Sequence, residues 1–143
     1  MNQLQHPPAP IEALLAWPGT ALAARLALAS PFAISGVLKL VDWRGAVAEA
    51  GAMGLGYPAL IAGATIATQL IGSALFLSRR LAWLGAGALA VFTALATLLA
   101  HAFWQAHGPE QAHEMATFFE HVAIVGGFGA AAILVDLNQR PVS

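Results

Sequence analysis

Apolar and polar positions alternate along this chain in blocks rather than residue by residue. Apolar blocks cover 20–41, 57–78, 81–104 and 117–135, separated by short polar or glycine- and proline-marked segments. A bilayer's hydrocarbon core is crossed by about 20 mostly apolar residues in a helix, so each block is long enough to span. The pattern predicts an all-α integral membrane protein. Its compact form is an antiparallel bundle of four transmembrane helices. The segment 1–18 is expected as an N-terminal tail, 19–137 as the membrane domain and 138–143 as a C-terminal tail.

Within this frame the connections differ in character. Residues 43–56 mix Arg44 and Glu49 with alanine and glycine, and read as a short amphipathic or irregular piece lying on the membrane surface. Gly56-Tyr57-Pro58 marks the start of the second span, with proline at the first helical position, where its missing N–H costs nothing. The turn at 78–80 is so tight that spans two and three must be antiparallel neighbours. The loop 105–116 is the polar one, with His107, Glu110, His113 and Glu114.

Composition agrees with membrane burial. Hydrophobic residues make up 59% of the 143 residues and charged ones 9%, against about 25% charged in a typical soluble domain. The net charge of −1 and the scattered basic residues exclude nucleic acid as an expected partner. Cysteine is absent, which excludes dithiol exchange, iron–sulfur ligation and c-type haem attachment. The proline-broken N-terminus has no basic n-region, so the first span is expected to be retained rather than cleaved. Arg79, Arg80 and Arg140 on one side outnumber Lys39 and Arg44 on the other, which favours cytoplasmic termini.

The intramembrane polar residues carry the candidate chemistry, because such groups usually face a bundle interior or a water-filled cavity. At 3.6 residues per turn, Arg25, Phe32, Gly36 and Lys39 fall within about 60° on span one. Thr65, Thr68, Gln69 and Gly72 share a face of span two. Thr93, Thr97 and His101 share one on span three, and Glu120 with Ile124, beside His121, lies on span four. The expected binding set is Arg25, Lys39, Gln69, Thr97, His101, Glu120 and His121. Each has a plainer alternative. Threonines bond their own helix carbonyls, Gln69 joins two helices, Lys39 snorkels to the interface and loop histidines are solvated. Arg25 is deep and far from Asp42 and Glu120, so an ion pair or an anionic ligand is expected for it. The histidines and glutamates match no defined metal motif, and a haem between His101 and His121 is a minor alternative.

Arg25, Ser35-Gly36-Val37-Leu38-Lys39-Leu40, Gly56-Tyr57-Pro58, Gln69-Leu70-Ile71-Gly72, Arg80-Leu81-Ala82, Ala96-Thr97 with His101-Ala102-Phe103-Trp104, Phe118-Phe119 and Gly126-Gly127 occur in that order. Together they resemble the DoxX family of small four-helix bacterial membrane proteins over about 22–134. The resemblance implies a bacterial cytoplasmic (inner) membrane location. It also implies membrane redox physiology, in thiosulfate:quinone oxidoreductases or beside oxidative-stress enzymes. Gln69 stands where many members have Glu, and Glu120-His121 replaces a common Lys-Asn pair. The leading expectation is a quinone-interacting subunit that takes electrons from a redox protein partner, with quinone as the cofactor. A membrane anchor or assembly partner of a soluble or secreted enzyme is the second reading. A small solute or metal-ion conduit, formed as a homo-oligomer, is the third.

Overall fold

The computed structural model describes residues 7–54, 56–78 and 80–139, and of 136–139 the backbone alone. Among these residues there are helices and no strands: α1 (Ala9–Ala16), α2 (Pro18–Val41), α3 (Trp43–Ala52), α4 (Pro58–Leu77), α5 (Ala82–Ala100) and α6 (Pro109–Gln139). Helices α2, α4, α5 and α6 are long and apolar enough to cross a membrane. The chain is therefore an all-α, multi-pass membrane protein in contact with the lipid bilayer. Arg79 and Arg140, on which the orientation expectation leans, lie outside the described residues.

Three segments differ from the sequence reading. Residues 9–16 form a helix rather than an irregular tail, started by Pro8 and Pro10 and ended by extended Trp17. None of α1 is buried, and its Ile11, Leu14 and Leu15 stay exposed rather than packing on the bundle. Span three stops at Ala100 rather than 104. Most of the polar loop is the start of α6, whose 31 residues extend about 46 Å. That exceeds the ~30 Å hydrocarbon core, so the first turns of α6 stand in water.

The segment after span one is helical because Asp42 caps it. Its carboxylate accepts from the Gly45 N–H at 2.9 Å. Ala46 and Ala50 of α3 then pack on Ala62 and Ile66 of α4. Asp42→Ala is expected to cost about 1 kcal/mol through the lost cap, read as a lower unfolding midpoint in detergent.

Inside α2, Pro31 cannot donate to the Ala27 carbonyl. The Ser30 hydroxyl does so instead, at 2.9 Å. The helices pack in the order α2, α4, α5, α6, and α6 returns to α2 only lightly. Small residues permit the closest approach, between α4 and α5, where Ala82, Gly85, Ala86 and Leu89 are buried against Gly72 and Phe76. Phe76, Phe128 and Phe32 fill the middle of the bundle, with ring centroids 5.1 Å apart for Phe76–Phe128 and 5.5 Å for Phe32–Phe128. Phe92 stands edge-on to Phe32 at 6.3 Å.

Candidate functional site: a polar-lined cavity in the bundle

Beyond this phenylalanine plug the helices splay into a half-open cavity of about 440 Å³, within the usual range for small-molecule sites. Every bundle helix and the surface helix α3 contribute. Phe32, Phe92 and Ile124 close the inner end. Ser35, Lys39, Glu49, Thr65, Gln69, Thr93, His101 and His121 supply the polar wall, and Met53, Leu95 and Leu99 form an exposed apolar rim.

Gln69 is buried, 5% exposed. Its Nε2 donates to Ser35 Oγ at 3.2 Å, which ties α4 to α2. Its Oε1 is buried without a hydrogen-bond partner among the described residues. A buried acceptor left in that state costs about 1–3 kcal/mol, and the oxygen is shielded from the cavity that its residue lines. The Ser35 hydroxyl can donate as well as accept. The amide can therefore turn over and place either its oxygen or its NH₂ on the side away from Ser35.

The two histidines are held alike. Thr97 donates its hydroxyl proton to the Thr93 carbonyl at 2.6 Å. The His121 Nδ1, 2.9 Å from the Thr97 Oγ1, must then be the donor. His101 Nδ1 donates to the Glu114 carboxylate at 2.7 Å. In both rings Nδ1 is committed and Nε2 is the nitrogen left for a ligand or a proton. The rings meet edge to face with centroids 5.0 Å apart. His101 ends α5, and the Phe103, Trp104, Phe118 and Phe119 cluster holds that corner against α6. Lys39 pairs with Glu49 across the α2–α3 corner.

Lys39, Gln69, His101 and His121 are thus brought together, with Thr97 one step behind His121. Glu120 and Arg25 are placed elsewhere. Glu120 is exposed and outside the lining, because the inward face of α6 runs through His121, Ile124 and Phe128. Arg25 lies beyond the phenylalanines, where it donates to the carbonyls of Phe76 and Ser78 and stacks 5.3 Å from the Phe76 ring. Its partners among the described residues are the orphan carbonyls at the end of α4, not an acid. His107 and His113 are exposed, as solvated loop histidines would be. Among the described residues no group of three or more His, Asp or Glu side chains is placed to hold a metal ion.

Ser35 and Glu49 were not singled out from the sequence, and Glu114 entered only as a loop acid. The available signals were the capped α3, which returns Glu49 to Lys39, and the helical start of α6, which swings Glu114 towards His101.

Residues 20–102, from the first turn of α2 to just past His101, match the DoxX family model. The chain belongs to the DoxX family. Most of the cavity wall lies within the matched DoxX region, while His121 and Glu114 come from α6, beyond it. No curated protein and no solved structure matches the chain.

Proposed function

We propose that this DoxX-family protein is the quinone-interacting subunit of a membrane redox system, seated in the bacterial inner membrane with cytoplasmic termini. The observation that carries the reading is a cavity of about 440 Å³ whose polar wall sets Gln69 beside two histidines with Nε2 uncommitted. A quinone has two carbonyl oxygens that accept hydrogen bonds, and its reduced form has two hydroxyls that donate them. An amide able to present either end serves both states. Reduction consumes two electrons and two protons. The electrons come from a redox protein partner, and the protons are held at His101 and His121, with Glu114 joining them to the aqueous end of α6. The water-exposed first turns of α6 offer that partner a place to dock.

The phenylalanine plug argues against a conduit through a single bundle. Phe76 and Phe128 are fully buried across the bundle, so a polar path does not continue from the cavity to Arg25.

The test is binding of a chain-bearing benzoquinone to protein in liposomes, with mass spectrometry of whatever co-purifies. Gln69→Leu is expected to weaken binding by roughly tenfold or more, the value of one buried hydrogen bond plus its desolvation, with the fold retained. His121→Phe is expected to do likewise. Variants that lose thermal stability while the wild type binds no quinone would transfer the weight to the anchor or assembly role.

A further inference from the structure

The cavity has a neighbour. A groove on the lipid side of α2 is lined by Pro31, Ile34, Ser35, Leu38, Lys39, Val41, Asp42 and Glu49. Pro31, Ser35, Lys39 and Glu49 line both spaces, so the two meet along one strip of wall. Pro31, in that strip, stands outside the main-chain hydrogen bonding of α2, the Ser30 hydroxyl taking its place at the Ala27 carbonyl, and α2 meets α6 only lightly. Ser35, in the strip, is the residue that holds Gln69. On the outer side Ile34, Leu38 and Val41 are 59%, 63% and 82% exposed, one apolar row at helical spacing.

We infer that this groove seats the hydrocarbon tail of the ligand whose polar ring occupies the cavity, so that the ligand is a lipid-tailed molecule and not a water-soluble one. The inference rests on the quinone reading of the cavity and extends it to a second subsite. Its occupant follows from continuity and direction. From Lys39 to Pro31 the groove runs about 12 Å along α2 towards the middle of that span, and so towards the bilayer centre where a hydrocarbon chain belongs. The cavity's other open edge is the rim of Met53, Leu95 and Leu99, of which Met53, at the end of the surface helix α3, would bring a chain to the headgroup region. The Lys39–Glu49 pair stands at the junction, and keeps the polar ring on the inner side from the apolar row on the outer.

The experiment uses the full chain in liposomes and a benzoquinone whose alkyl chain ends in a photoreactive diazirine. A chainless dimethoxy-methyl-benzoquinone serves as the head alone. Photolabel is expected on Ile34 and Leu38. Leu38→Trp, which fills the groove from the lipid side, is expected to weaken binding of the chain-bearing quinone and to leave the chainless one unchanged. The loss comes through the packing its chain loses rather than through transfer from water, since the displaced chain returns to lipid. Label on Leu95, Leu99 or Met53, or an equal loss of both quinones in Leu38→Trp, overturns the tail groove while the quinone site stands. Failure of both compounds to bind the wild type overturns the quinone reading and the groove with it.

Discussion

Gly85→Val is expected to prevent α4 and α5 from closing on one another, at a cost of about 3 kcal/mol or more. A Cβ at this position would lie 2.6 Å from the Gly72 carbonyl oxygen and from the Phe76 Cα. Both are backbone atoms of a helix and cannot rotate aside as a side-chain end does. Relief requires the two helices to separate, which would strip packing from Ala82, Ala86 and Leu89, all buried at this seam. Lipid tails are as apolar as the core, so no hydrophobic gain returns the helices to contact, and close packing is what holds them. Thermal unfolding in mild detergent checks this. Gly87→Val is the control, since nothing lies within 4 Å of a Cβ there, and it is expected to leave the midpoint almost unchanged.

The contrast between Gly85 and Gly87 also shows what the sequence made legible. Four spans were readable because 20-residue apolar blocks have one stable form in a bilayer. Convergence of Lys39, Gln69, His101 and His121 was readable because helical periodicity puts a span's polar residues on one face, and that face turns inward. The partners were not readable in the same way. Glu49 reaches Lys39 only because Asp42 caps a helix directly after span one. Glu114 reaches His101 only because α6 begins well before its apolar block. Glu120 shows the limit of face arguments. One residue from His121 is a rotation of about 100°, enough to take a side chain from the cavity wall to the outside. Resemblance to the DoxX family identified the membrane domain and left these contacts open, since they depend on loop geometry.

Arg25 illustrates the same limit, and its replacement gives the other large effect. A charged side chain in a span invites a search for an acid, and none stands near it in the sequence pattern. The structure gives it backbone partners instead, through one terminal nitrogen, while its Nε has none among the described residues. The last turn of α4 leaves carbonyls without helical donors, and the negative end of the helix dipole sits there. The guanidinium donates to two of these carbonyls, Phe76 and Ser78, and its face rests on the Phe76 ring. Arg25→Met keeps most of the apolar stem but strands both carbonyls at the end of a membrane helix. Hydrogen bonds to a charged group contribute about 1.5–3 kcal/mol each, and part of the loss returns through water at this edge of the bundle. A destabilisation of about 3 kcal/mol is expected. Arg25→Lys should recover only part of it, because an ammonium lacks the planar fork and the stacking surface. If Arg25 acts as a cap, quinone binding measured on the folded fraction of Arg25→Met is expected to equal that of the wild type, because the phenylalanine plug separates it from the cavity. A binding loss without a fall in unfolding midpoint would overturn the capping role and return Arg25 to the ligand site.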